Sequence, residues 1–254
     1  MLKTLIKNIL SSCGFILMRN HTGFSPEWIP LHDNKIDLLE TLVKLELSGG
    51  VFKFLQIGAN DGIQADPLSV LIRKYNLKGS MIEPIPEVFQ KLLNNCDDIK
   101  ENIDFKNMAI TITGSHGLMP FYIFTTADKE QQHLLSGYSS TTKEKLESVK
   151  VEANIKADIA MINIPYESVS YYLNNHGIGE LNLLVTDVEG LDIDIVSEFI
   201  KFGVLPNIIY MEILGQSAAK RMQIIELLAK SGYSIGGNIS DLIAYRRIDK
   251  VTEC

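Results

Sequence analysis

"QIGANDG", residues 56–62, follows the apolar run Val51–Leu55 and carries a glycine at each end of the turn Gly58–Gly62. Ala59, Asn60 and Asp61 lie between. A buried strand that leaves its sheet through such a turn makes room for a ligand, because glycine permits backbone conformations and close approaches that side chains obstruct. Outward from this turn, apolar strand-like runs alternate with helical stretches. Strands are expected at Phe52–Ile57, Gly79–Glu83, Phe105–Ile110, Leu181–Asp187 and Ile208–Ile213. Helices are expected at Asp37–Leu47, Pro67–Tyr75, Pro86–Asn94, Ile193–Lys201 and Ala218–Ser231, with two closing strands between Tyr233 and Arg246. The alternation predicts an α/β fold with a mostly parallel central sheet and helices on both faces.

One segment breaks the rhythm. "LMPFYIF" (118–124) and "IAMINI" (159–164) read as extra strands around a Ser/Thr-rich loop that runs into a helix, "HLLSGYSSTTKEKL" (133–146). The chain is therefore read as an N-terminal helical appendage, 1–48, and one domain, 49–254, with an insertion at about 114–165.

Composition narrows the function classes. The chain has 254 residues, 46% of them hydrophobic and 22% charged, and a net charge of −7. No basic block stands out, so nucleic acid is not expected as a partner, since its phosphates need cations. Cys13, Cys96 and Cys254 are far apart, with no CxxC and no Cys/His cluster, which suits a reducing compartment such as the cytoplasm. Leu2, Leu5, Ile6, Ile9 and Leu10 recur at helical spacing, while Lys3 and Lys7 interrupt the apolar run. That run is too short to span a bilayer. It reads as a helix for homodimer contact or for peripheral contact with the inner face of a membrane.

What does the turn hold? In doubly wound folds the ligand lies beyond the carboxyl ends of the strands, where strand order reverses. A nicotinamide site wants G-x-G-x-x-G, but Asn60 occupies the middle glycine position. No Gly-Lys-Ser/Thr follows, so a P-loop also fails. Glu83 ends the second expected strand in "MIEP", 21 residues after Gly62. A carboxylate there is placed to accept hydrogen bonds from a ribose diol. A glycine turn and an acid on strand two, without a phosphate cradle, point to a nucleoside lacking a pyrophosphate. S-adenosylmethionine fits, and Asn60 and Asp61 are candidates for its amino-acid end. Asp61 equally suits a turn residue that bonds its own backbone.

"FLQIGANDGIQADPL" (54–68), "GSMIEPIPEVFQKL" (79–92), "NMAIT" (107–111), "LLVTDVEGLDIDIV" (183–196) and "IIYMEI" (208–213) resemble the successive blocks of the FkbM-type S-adenosylmethionine-dependent methyltransferases. Asp187-Val188-Glu189-Gly190 is the most distinctive block. The resemblance implies a Rossmann-like class I methyltransferase fold and O-methylation of a sugar or other small-molecule hydroxyl, in polysaccharide, glycolipid or secondary-metabolite synthesis. The turn is GANDG where GANIG-like forms are frequent in the family, so the likeness is to a subgroup. Under this reading Gly58, Asn60 and Gly62 shape the methionine end of the site, with Asp61 beside them. Glu83 binds the ribose, Pro84 and Ile85 flank the adenosine, Asn107 and Ala109 meet the adenine, and Asp187 stands beside the sulfonium.

Methyl transfer also requires removal of the acceptor's proton. Three schemes are open: Asp187 or Glu189 as base, His133 as base, or a divalent cation such as Mg2+ held by Asp187 and Glu212. His176 reads as a helix-end residue and His116 as a turn residue. Ser136, Gly137, Tyr138, Ser139 and Ser140 are candidates to line or close over an acceptor pocket. Two alternatives remain. One is a non-catalytic S-adenosylmethionine-binding partner subunit. The other is a nicotinamide-dependent oxidoreductase, which the missing glycine disfavours.

Overall fold

The computed structural model describes residues 37–246, apart from 65, 129–130, 132–134, 136–137 and 189. The N-terminal amphipathic segment, Cys13, His21, His32, His133, Ser136, Gly137, Glu189 and Cys254 lie outside the described residues.

Seven strands form the central sheet, in the order β10-β11-β9-β8-β1-β2-β3. They are β1 (Lys53–Ile57), β2 (Lys78–Ile82), β3 (Ile103–Lys106), β8 (Leu183–Thr186), β9 (Ile208–Glu212), β10 (Ser234–Gly237) and β11 (Asp241–Tyr245). β1 pairs in parallel with both β2 and β8, and β8 pairs in parallel with β9. Only the closing strand β11 runs against its neighbours β9 and β10. Strand order reverses between β1 and β8, so the turn after β1 opens at the reversal point.

Side-chain alternation explains why both faces carry helices. Along β1 and β8, Phe54, Leu183 and Val185 face one core, while Leu55, Ile57 and Leu184 face the other. The first core receives α1 (Leu38–Leu47), α2 (Ser69–Tyr75) and α3 (Pro86–Asn95) through Leu39, Leu42, Val43, Leu71, Ile72 and Leu92. The second receives α5 (Val169–Asn175), α6 (Asp192–Lys201) and α7 (Ala218–Lys230) through Tyr172, Ile193, Val196, Phe199, Ile224 and Leu228. A strand buried on both sides gives the near-continuous apolar run seen in the sequence. Helix α1, which the sequence reading placed in the appendage, is capped by Asp37, whose carboxylate accepts from the Glu40 N–H at 3.0 Å. It docks on the sheet, and Glu46 accepts from the Asn207 side-chain amide and from Tyr245 Oη.

The expected third strand, Phe105–Ile110, is two strands. β3 ends at Lys106, and β4 (Ala109–Thr111) joins a different sheet. The break falls at Asn107, whose side-chain amide donates to the Glu83 and Pro84 carbonyls at 2.8 and 3.1 Å and turns the chain out of the central sheet. The second sheet has four strands, ordered β4-β7-β5-β6, with β5 at His116–Thr125, β6 at Ser139–Ser140 and β7 at Asp158–Ser168. Its inner face packs Phe121, Ile164 and Ala109 on Ile85 and Val88 beside α3. Helix α4 (Lys143–Glu152) covers β5 through Leu146, against Phe124. His116 begins β5 rather than lying in a turn, and it stacks on Tyr171 with ring centroids 4.3 Å apart. His176 caps the end of α5, and its Nε2 meets Glu167 at 2.9 Å. No helix among the described residues is long and apolar enough to cross a membrane.

Candidate active site

The turn after β1 is held by its own backbone. The Gly58 and Ala59 N–H groups both donate to the Ile82 carbonyl, at 2.9 and 3.0 Å, and the Asp187 N–H donates to the Ile57 carbonyl. Gly58 adopts φ +83°. A Cβ at Gly58 would stand 1.9 Å from the Asp187 carbonyl oxygen, so the turn and the end of β8 touch only because Gly58 has no side chain. Gly62, at φ +72°, leaves equally little room: a Cβ would meet Leu92 Cδ1 at 2.7 Å and Cys96 Sγ at 2.9 Å. Asn60 takes the left-handed region at φ 48°, which asparagine tolerates better than most residues.

The side chains expected to bind the amino-acid end are engaged within the turn. Asn60 Oδ1 accepts from the Asp61 N–H at 2.9 Å. Asp61 Oδ1 accepts from the Ile63 and Gln64 N–H groups at 2.9 and 2.8 Å. Asp61 is therefore the turn residue that the sequence offered as the alternative to a ligand contact.

Glu83 sits just past β2 and is 5% exposed. Its Oε2 accepts from the Asn60 N–H at 3.0 Å and its Oε1 from the Ile85 N–H at 2.9 Å. Burial pushes its carboxyl up to about 7, against the two backbone donors and with added repulsion from Asp187 and Asp61. The carboxylate ties the glycine turn to the segment entering α3, and each oxygen keeps lone-pair capacity for a hydroxyl donor.

A cleft of about 510 Å3, including space open to solvent, runs from this turn along the ends of β8, β9 and β11. The turn and the segment after it contribute Gly58, Ala59, Asn60, Gln64 and Asp66, the later strand ends contribute Thr186, Asp187, Tyr210, Glu212 and Asp241, and β1 contributes Gln56. The sequence-derived candidates divide accordingly. Gly58, Asn60, Asp187 and Glu212 meet in the cleft. Glu83 and Asn107 stand behind the turn, with Pro84 between them in the chain, and Ala109 packs in the small core of the second sheet. Gly62 and Asp61 face inward. Tyr138 lies apart, against Ile85, Val88 and Leu135. Glu212 and Asp241 are register partners across β9 and β11.

Asp187 stands exposed at the cleft mouth. Surrounding protein raises its carboxyl to about 6, with the Asp192 and Asp241 carboxylates adding to the rise. Asp192 is wholly buried and shapes the loop after β8. Its oxygens accept from the Val188 N–H at 3.0 Å and the Gly190 N–H at 3.3 Å. Gln216 Nε2 closes the same loop on the Gly190 carbonyl at 2.9 Å. Among the described residues, no group of three or more His, Cys, Asp or Glu is arranged to hold a metal ion. Asp187 and Glu212, the pair expected to face a cation, share the cleft.

The sequence reading missed Gln56, Gln64, Asp66, Tyr210 and Asp241. Gln56 carries a signal, as a polar residue in the otherwise apolar buried end of β1. Asp241 carries none. It arrives by the antiparallel return of β11, which no local pattern announces.

Residues 56–235 match the family described as the methyltransferase FkbM domain. No curated protein matches the chain significantly. Among solved structures, the chain is similar to the methyltransferase FkbM from Methylobacillus flagellatus, at 12% identity and a TM-score of 0.46, covering 77% of this chain and 44% of that one. It is similar to a methyltransferase from Pyrococcus furiosus, at 13% identity and a TM-score of 0.37, covering 97% and 98%. It is also similar to fibrillarin from Aeropyrum pernix in complex with natively bound S-adenosyl-L-methionine, at 12% identity and a TM-score of 0.38, covering 76% and 66%. The family match extends over more than half of the sequence, from the glycine turn to β10: the chain belongs to the FkbM methyltransferase domain family.

Proposed function

We propose that the chain transfers a methyl group from S-adenosylmethionine to a hydroxyl of a sugar or another small molecule. The observation that carries this reading is the union of two carboxylates around one glycine turn. Glu83 is fixed behind the turn by the Asn60 and Ile85 N–H groups, and Asp187 stands in front of it at the cleft mouth. When bound, the cofactor supplies a methyl carbon already activated by a sulfonium. The chain's own task is alignment and proton removal.

Glu83 is placed to accept hydrogen bonds from the ribose through its remaining lone pairs, with Asn107 holding the backbone of residues 83 and 84 in place. Asp187 acts as general base. A carboxylate raised toward 6 is still ionised at neutral pH and is a better proton acceptor than an ordinary aspartate. A bound cofactor would supply the methyl group for displacement from sulfur by the acceptor oxygen, and Asp187 would hold the proton that the hydroxyl gives up. Asp187 and Glu212 are the residues that would face a divalent cation, and no step here depends on one.

The lining supports one class of acceptor. No Lys, Arg or His lines the cleft among the described residues, while Asp66, Asp187, Glu212 and Asp241 do. A nucleic-acid or other phosphate-bearing acceptor suits such a lining poorly. A polyhydroxylated, donor-rich small molecule or glycan suits it well, and we place the activity in the cytoplasm.

Calorimetric titration with S-adenosylhomocysteine tests the cofactor assignment. The expected result is saturable binding by the wild type that Glu83→Ala weakens by at least about tenfold, the value of a charge-assisted hydrogen bond or two. A folded wild type that does not bind overturns the reading. With binding established, labelled methyl transfer to neutral, amine-bearing and acidic sugars identifies the acceptor class.

A further inference from the structure

The described residues begin beside the cleft. Helix α1 runs against the parallel strands: Glu46, in its last turn, bonds to Asn207, just before β9, and to Tyr245, at the end of β11. Its first residue, Leu38, lies at the opposite edge of the sheet, with Cδ2 3.9 Å from where a Cβ on Gly236 would stand. Burial pushes the Tyr210 hydroxyl up to about 12, and the carboxylates of Asp241, Asp37 and Asp187 add to the rise. Asp37 is thus within electrostatic reach of a residue that lines the cleft. Residues 1–36, which lie outside the described residues, join the structure at this point.

The same corner exposes apolar side chains. Leu38 is 46% exposed, Leu214 55% and Ile239 59%. Leu214 closely follows β9 and Ile239 closely precedes β11. Their turns are joined by the Ile213 N–H, which donates to the Ser240 carbonyl at 2.6 Å. Asn238 Oδ1 accepts from the Ser240 and Asp241 N–H groups at 2.7 and 2.8 Å, which holds Ile239 at the tip of its turn. Glu212 and Asp241, register partners at the base of these two turns, belong to the acidic lining of the cleft. An apolar rim beside an acidic lining suits an occupant that is apolar and cationic at once.

The chain carries such an occupant. Residues 1–26 contain Lys3, Lys7 and Arg19 and no Asp or Glu, although the net charge of the chain is −7. Leu2, Leu5, Ile6, Ile9 and Leu10 supply apolar side chains in the same segment. We propose that residues 1–26 of this chain dock across the cleft mouth on Leu38, Leu214 and Ile239, with their cations facing Glu212 and Asp241, so that an acceptor enters only when the segment moves aside. Attachment through Asp37 keeps the segment at high effective concentration, so weak contacts suffice. Exposed ion pairs contribute little each. The apolar rim therefore supplies most of the hold, and the charges set the placement.

The test is a carbodiimide, which joins a lysine ammonium to a carboxylate it touches, applied to the full chain without ligand and read by mass spectrometry. Equal parts of 15N-labelled and unlabelled protein separate links within a chain from links between chains. The ion pairs Lys74–Glu40 at 2.7 Å and Lys220–Asp194 at 2.8 Å are internal controls. Links from Lys3 or Lys7 to Glu212 or Asp241 within one chain are expected. Ile239→Asp should lower their yield relative to the controls by about tenfold, the worth of burying one isoleucine. Control links without any to the cleft carboxylates overturn the proposal. Links between labelled and unlabelled chains overturn it too, and assign the rim to a second copy. Sedimentation of the protein with phosphatidylglycerol vesicles, the cleft carboxylates staying unlinked, gives the segment to a membrane surface instead. An unchanged yield in Ile239→Asp removes the apolar footing and the proposal with it. Should that variant fail to fold, as a thermal melt would show, Leu214→Asp makes the same comparison. None of these readouts needs a cofactor, so they stand apart from the S-adenosylmethionine reading.

Discussion

Replacing Glu83 with glutamine should change how the stability of the ligand-free protein depends on pH. The carboxyl of Glu83 is buried and raised to about 7 from an ordinary value of 4.5. At pH 4 both the folded and the unfolded chain hold the proton. As pH rises, the unfolded chain loses it near 4.5, while the folded chain keeps it until about 7. Through that window the folded state binds more protons, so stability falls with rising pH and levels off above 7. The full drop from this one residue is about 3 kcal/mol. Glutamine removes the titration. It also presents one acceptor and one donor to the Asn60 and Ile85 N–H groups, so one of them loses its partner at a cost of about 1–3 kcal/mol, independent of pH. Urea unfolding of both proteins at half-unit steps from pH 4 to 8 separates the two effects. Asp66, Asp187 and Asp192 also titrate upward. Their contributions largely cancel in the difference between the proteins. The expected difference is largest in favour of wild type at pH 4–5 and shrinks by about 3 kcal/mol by pH 8. Parallel profiles would refute the reasoning and show that Glu83 ionises freely in the fold.

Three further outcomes follow from the site. Gly58→Ala forces a Cβ to 1.9 Å from the Asp187 carbonyl oxygen at φ +83°; a loss of about 3 kcal/mol or more is expected, and a wild-type melting curve would contradict the contact. Asp192→Ala strips acceptors from the Val188 and Gly190 N–H groups; a loss of about 2–4 kcal/mol by urea unfolding is expected, with faster proteolysis in the loop after β8. Asp187→Asn should lower kcat about 100-fold or more while S-adenosylhomocysteine affinity stays within a few-fold; unchanged kcat would pass the role of base to another group.

The sheet was legible because its strands are buried on both faces. Runs such as LLVT and IIYME leave no doubt about burial, and the glycine and proline punctuation placed the helices between them. The position of Glu83 was legible for the same reason: a charged residue directly after an apolar strand marks the end of that strand, and Glu83 lies just past β2. What escaped was tertiary in origin. Phe105–Ile110 reads as one strand because its apolar content is continuous, yet the Asn107 amide bonds to the Glu83 and Pro84 carbonyls divide it between two sheets. Asn60 and Asp61 looked like ligand contacts because they are polar and sit in the turn. Only the structure shows the Oδ1 of each already accepting from the turn's own N–H groups. Gln56 was passed over because one polar residue within a strand has no periodic signature, and its meaning depends on Asp66, ten residues on in the turn's far arm.

The antiparallel insertion of β11 between β9 and β10 has a consequence for how the molecule is made. β9 and β10 both leave the ribosome before β11; β9 can pair with β8 on one side, but its other edge is covered, and β10 joins the sheet, only when β11 slots between them. Until then the outer rim of β9, with Ile208, Ile209 and Met211, is an open edge whose backbone N–H and C=O groups invite pairing with a second chain. The wall bearing Asp241 is completed in the same step. Nascent or C-terminally shortened chains that lack β11 should therefore self-associate through β9 before they ever present a finished cleft.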